Sequence, residues 1–128
     1  MNNSYILIGI ENFIDHILCI QETGVAYWKK STKKMNVGDI VYLFISDKKN
    51  DRVMYRLQVI DTDSVRNDRK YWHSTYIHDT SCFKLKNIAP TYVGNGLDRN
   101  DLEAHGISRY VQYKKLSPEQ ATWLASHF

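Results

Sequence analysis

Tryptophan, lysine and arginine carry chemistry in combination here, and they fall in two clusters. Tyr27 and Trp28 are followed by Lys29, Lys30, Lys33 and Lys34, and Arg66, Arg69 and Lys70 precede Tyr71 and Trp72. A flat ring stacks on a nucleobase, and cationic side chains neutralise phosphates. Each cluster therefore holds both parts of a single-stranded nucleic-acid contact. A structural reading competes with this one: a tryptophan that fills the core beside a solvated basic face. On these residues alone both readings stay open.

Catalytic constellations are missing by comparison. The sequence has no glycine-rich phosphate loop ending in lysine, no Gly-x-Ser-x-Gly elbow and no His-Glu-x-x-His. His16, His73, His78, His105 and His127 are scattered. None is paired with Cys, Asp or Glu at ligand spacing; His73 and His78 lie five apart with Asp79 beside the latter, and no metal site is expected there. A general acid–base role for His73 would need the fold to bring it a partner, and nothing in the sequence shows one. The expectation is a non-enzymatic module with no catalytic residues and no cofactor.

Size and composition set the frame for this module. A chain of 128 residues is expected to form a single domain, 1–128, and to fold on its own core without staples. The net charge of +3 is compatible with a nucleic-acid partner, and its concentration at 29–34 matters more than its total. Cys19 and Cys82 lack metal-ligand spacing and read as reduced thiols, which points to the cytoplasm. No apolar run reaches the length of a membrane-spanning helix.

The elements that must position the two clusters are short. The apolar run 5–10 predicts an inner strand, and Asn12 is placed to cap a helix that Gly24 ends. That helix would turn Phe13, Ile14, Ile17, Leu18 and Ile20 inward and His16 outward. The chain then returns along 25–28, makes a helical turn over 31–35, and turns at Gly38-Asp39 into a strand at 40–46. In that strand Val41, Leu43 and Ile45 share one face, while Tyr42, Phe44 and Ser46 share the other. A partner strand is expected at 53–60, then a loop over 61–70 and a strand or irregular lid over 71–77. Further strands are expected at 82–88 and 108–113. A short helix runs over 98–105, and a last helix starts with Pro118, capped by Ser117 and Gln120 as a capping box. The layout is α+β: a curved, mainly antiparallel sheet with three or four short helices.

Two segments resemble the EVE domain, of the PUA-like superfamily that also holds the YTH and ASCH domains. The first is Trp28 followed by Met35-Asn36-Val37-Gly38-Asp39 and the apolar strand that ends in Phe44-Ile45-Ser46. EVE domains show a tryptophan, a short helix, a Met-x-x-Gly-Asp turn and such a strand. The second is Gly106-Ile107-Ser108-Arg109-Tyr110-Val111-Gln112-Tyr113 with Ser117-Pro118-Glu119-Gln120, similar to the strand and acidic helix that close the EVE fold. The chain departs from the family after the first tryptophan, where Val-Arg-Asn is replaced by Ser31-Thr32-Lys33.

The resemblance implies a PUA-like open barrel with a pocket that takes one modified or flipped base of RNA or DNA. A nuclease or modification enzyme is then a possible partner. By position, Trp28 would be a pocket wall, Ser46 its floor and Arg109 its rim. Stacking chemistry adds Tyr42, Phe44 and Trp72 to the pocket. Lys29, Lys30, Lys33, Lys34, Arg66, Arg69 and Lys70 would hold phosphates. A small-molecule sensor and an RNA or nucleotide hydrolase are the alternatives.

Overall fold

A computed structural model describes residues 2–30, 33–73 and 81–128. Among these residues six strands form one open sheet in the order β2-β5-β4-β3-β1-β6. They are β1 Ser4–Ile10, β2 Val25–Lys29, β3 Ile40–Ser46, β4 Asp51–Ser64, β5 Cys82–Asn87 and β6 Tyr113–Lys115. All pairings are antiparallel except β1 with β3, which run parallel. Three α-helices among the described residues accompany them: α1 His16–Thr23, α2 Arg99–Ala104 and α3 Pro118–Ala125. The class expected from the sequence is the one observed.

β1 and β3 are apolar on both faces because both faces are covered. Leu7, Val41, Leu43, Tyr55, Leu57 and Phe83 point to one cluster, which Ile20 of α1 helps close. Ile6, Tyr42, Phe44 and Val53 point to the other, where Leu97, Leu102, Ile107, Leu116 and Leu124 cover them. The alternation along 40–46 is thus as expected, but its second face is covered by the C-terminal third of the chain. Ser117 and Gln120 do form the capping box at α3, and Leu124 is fully buried.

The β2–β3 connection ends in a tight turn. Gly38 has φ +95, a left-handed backbone that favours glycine. The buried Asp39 carboxylate accepts N–H bonds from Asn3 at 3.0 Å and Asn36 at 2.8 Å. This ties the turn to the start of β1 and fixes where β3 begins.

Several local expectations need correction. α1 starts at His16, not after Asn12: the Asp15 side chain accepts from the Leu18 N–H and supplies the cap. His16 is buried, whereas Phe13, which precedes the helix, and Leu18 are exposed. β4 extends to Ser64 through the stretch expected to be a loop, because β5 supplies backbone partners even where side chains face water. The strand expected at 108–113 is only Tyr113–Lys115, preceded by turns. The helical turn over 31–35 and the stretch 71–77 lie partly outside the described residues. His78 and Asp79 lie wholly outside them.

Candidate functional site

The end of β2 brings Trp28 and Lys29 to the edge of a cavity of about 200 Å³. Trp28 is half-buried and packs on the core through part of its ring. Ile8 and Ile10 from β1, and Phe13 and Ile14 from the β1–α1 loop, supply apolar wall. Tyr27, His16, Arg66 and Trp72 complete it. The two basic-aromatic clusters, 44 residues apart in sequence at their tryptophans (72 minus 28), therefore meet in one place.

Backbone hydrogen bonds carry Trp72 there. The Asp15 N–H donates to the Tyr71 carbonyl at 2.8 Å, and the His73 N–H donates to the Phe13 carbonyl at 2.9 Å. Ile14 and Trp72 face each other across this short antiparallel bridge. Arg66 fixes the ring from another side. Its guanidinium lies 4.5 Å from the centroid of the Trp72 ring, within cation–π range. The same guanidinium is paired with Asp68 at 2.9 Å and donates to the Tyr27 carbonyl at 2.9 Å. Arg66 and Asp68 are both buried, so removing either partner would strand the other charge.

His16 does for Trp28 what Arg66 does for Trp72. Its ring stacks on the indole with centroids 5.1 Å apart and planes at 23°. Gly9 makes room for it, since a Cβ there would sit 2.8 Å from His16 Cδ2. Burial pushes the imidazole down to about 4, and the Arg66 charge adds to this while Asp68 and Asp15 oppose it. At neutral pH His16 is uncharged and offers one donor and one acceptor.

Two further polar features mark the site. The Trp72 Nε1–H is buried with no hydrogen-bond partner among the described residues. Leaving such a donor unpaired costs on the order of 1–3 kcal/mol. Lys29 is exposed at the edge, and Lys33 lies close enough to feel its charge. Partial burial first, and Lys29 second, hold Lys33 below the usual ammonium range.

The remaining expected site residues lie elsewhere. Tyr42 and Phe44 are 1% and 0% exposed in the cluster under α2 and α3, so neither reaches the cavity. Ser46 lies in a neighbouring groove with Asn12, Asp47, Lys48 and Lys49; Ile10 borders both. Arg109 pairs with Glu103 at 3.7 Å and donates to Asn100 at 3.2 Å, off the cavity wall. Arg66 is structural to the cavity and too buried to meet a phosphate. Lys70 pairs with Glu22 at 3.5 Å on the surface, and Arg69 begins a 3-10 turn Arg69–Tyr71. Lys30 and Lys34 flank the undescribed pair 31–32.

His16 and the loop residues Phe13 and Ile14 are the site members that the sequence reading did not find. Asp15, three residues before the N–H it caps, was the available signal. No group of three metal-binding side chains comes together among the described residues. Among them, too, no helix is long and apolar enough to cross a membrane.

Likeness to solved structures shows a PUA-like fold of the EVE and YTH type. The structure is similar to human THYN1, an EVE-domain protein solved in complex with 5-methylcytosine-containing DNA. That match has a TM-score of 0.63 at 9% identity and covers 98% of this chain and 96% of that one. It is also similar to the YTH domain of Zygosaccharomyces rouxii MRB1, solved in complex with N6-methyladenosine RNA, at TM-score 0.57 and 11% identity over 96% and 85% of the two chains. A hypothetical protein from Leishmania major matches at TM-score 0.64 and 13% identity over 98% and 94%. No protein-family description and no curated protein matches the sequence.

Proposed function

We propose that this chain is a nucleic-acid-binding module that takes a single modified or extruded base into the cavity between Trp28 and Trp72. The observation that carries the reading is the convergence of both tryptophans on one small cavity with Lys29 at its edge. The methylated nucleic acids bound by THYN1 and by the MRB1 YTH domain support it. Trp28 and Trp72 supply aromatic wall, and Lys29, Lys30, Lys33 and Lys34 hold the flanking phosphates.

Energetics are consistent with this division of labour. Stacking is worth about 1–3 kcal/mol per base, and drawing a base out of a duplex costs a few kcal/mol. One ring does not cover that cost. A second aromatic wall and phosphate contacts from neighbouring lysines supply the difference, while selectivity rests with the cavity.

The test is a titration with methylated and unmodified DNA and RNA oligonucleotides at two salt concentrations. Four lysine contacts to a single strand predict about a 50-fold loss of affinity between about 50 and 200 mM salt. Trp72→Ala should weaken binding by about 1–3 kcal/mol, and Lys33→Ala should flatten the salt slope by about 0.7. Negligible binding to every oligonucleotide would refute the proposal. Salt-independent binding of a free nucleoside in place of a strand would mark a small-molecule sensor.

A further inference from the structure

The groove beside the cavity is lined by Asn12, Ser46, Asp47, Lys48 and Lys49, and Ile10 borders both hollows. The β1–α1 loop joins them. Asn12 lines the groove, and Phe13, the next residue, lines the cavity with its side of the loop 58% exposed. A lone exposed apolar residue on a protein surface needs no explanation. Phe13 differs in its place at the cavity and in how firmly its backbone is held. Its N–H donates to the Ile10 carbonyl at 3.0 Å, and its carbonyl accepts from the His73 N–H at 2.9 Å. The same loop is tied to the groove wall, where the Glu11 N–H donates to the Ser46 carbonyl at 3.2 Å. The ring is thus presented on backbone that is already ordered, so a ligand that meets it does not have to order the loop.

The charges around this ring identify its partner. Lys29 lines the cavity, Lys48 and Lys49 line the groove, and all three are exposed. Neither Lys48 nor Lys49 forms an ion pair among the described residues. Asp47 lines the same groove, but its carboxylate is engaged by its own hairpin loop. It accepts from the Lys49 N–H at 2.7 Å and from the Asn50 side-chain amide at 3.3 Å. Lysine at the cavity, an exposed aromatic ring and a lysine pair in the adjoining groove match a single strand of nucleic acid. Its phosphates need neutralising, and its unpaired bases need a face to stack on. An apolar peptide would match the ring alone.

We propose that a bound single strand continues from the cavity over Phe13 into this groove. Phe13 stacks on the base next to the one in the cavity, and Lys48 and Lys49 meet the phosphates beyond it. This rests on the base-binding reading above and adds the path of the flanking strand. The test uses the full chain and short single-stranded oligonucleotides with 5-methylcytosine or N6-methyladenine at the centre, read by fluorescence anisotropy. Each neighbour of the central base is either present or replaced by an abasic site. Loss of the neighbour on one side should weaken the parent about fivefold or more, and should barely affect Phe13→Ala. The two groove lysines should steepen the salt slope by about 1.4, a further loss of about sevenfold between about 50 and 200 mM salt. Joint replacement, Lys48→Ala with Lys49→Ala, should abolish that increment. Both variants change exposed side chains and should keep the parent's melting temperature. A Phe13→Ala loss that is absent, or the same with and without the neighbouring base, would overturn the path while leaving base binding intact. An unchanged salt slope in the lysine variant would do the same. Negligible binding of every oligonucleotide by the parent, or equal binding when the central position is also abasic, would instead overturn the base-binding reading and with it this inference.

Discussion

Gly9→Ala isolates the packing that holds Trp28, because the added carbon is small and its target is known. The new Cβ would lie 2.8 Å from His16 Cδ2 and 3.1 Å from Nε2. The imidazole is not a loose tip. It is the first residue of α1, its backbone N–H donates to Glu11 at 3.1 Å, and its ring is stacked on Trp28. Overpacking of this kind costs about 1–3 kcal/mol. Alanine in a strand recovers roughly 0.5–1 kcal/mol relative to glycine, so the net loss should be about 0–2.5 kcal/mol. For a domain of this size that lowers Tm by several degrees. The decisive measurement is a double-mutant cycle by urea unfolding. With His16→Ala as background the clash is gone, and Gly9→Ala should become neutral or stabilising. If Gly9→Ala costs the same in both backgrounds, the Gly9–His16 contact is not what makes glycine necessary there.

Two other substitutions test different parts of the fold. Burial, with Asp15 second, pushes Glu11 up to about 7 from 4.5, while burial pushes His16 down to about 4 from 6.5. The raised Glu11 stabilises the fold at low pH and loses that contribution as pH rises through about 7. The depressed His16 stabilises above about 6.5 and loses its contribution as pH falls toward 4. Between about 4.5 and 6.5 the two slopes oppose. Glu11→Gln keeps an acceptor for the His16 N–H and removes the first slope. It should be more stable than the parent at pH 8 and should lose stability more steeply on acidification. A variant with the parent's pH profile in urea unfolding would contradict this. Ser117→Ala removes the cap that accepts from the Gln120 N–H at 3.2 Å and should cost about 0.5–2 kcal/mol, read as a lowered Tm. An unchanged Tm would show that α3 is held by Leu124 and its neighbours alone.

What was legible in the sequence was local. The apolar runs at 5–10 and 40–46, the Gly38-Asp39 turn, the αL Gly24 and the Ser117 capping box each depend on neighbours within a few positions, and each formed. α1 was misread because two residues, Asn12 and Asp15, both suit a cap. Which of them wins depends on the bridge from 13–15 to 71–73, a contact about 58 residues away in sequence. Tyr42 and Phe44 show the same limit. Their alternation along β3 was correct, but alternation names a face without naming what covers it. Leu102, Ile107, Leu116 and Leu124 settled that from the other end of the chain.

The sequence by itself determined the two basic-aromatic clusters and the strands that carry Trp28, since residue type and period suffice for both. Only the tertiary structure decided that Trp28 and Trp72 share one cavity, that Arg66 serves its wall and that His16 turns inward. Those outcomes depend on non-local pairing and on the desolvation of buried charges. Both are properties of the packed chain, and no window of residues contains them.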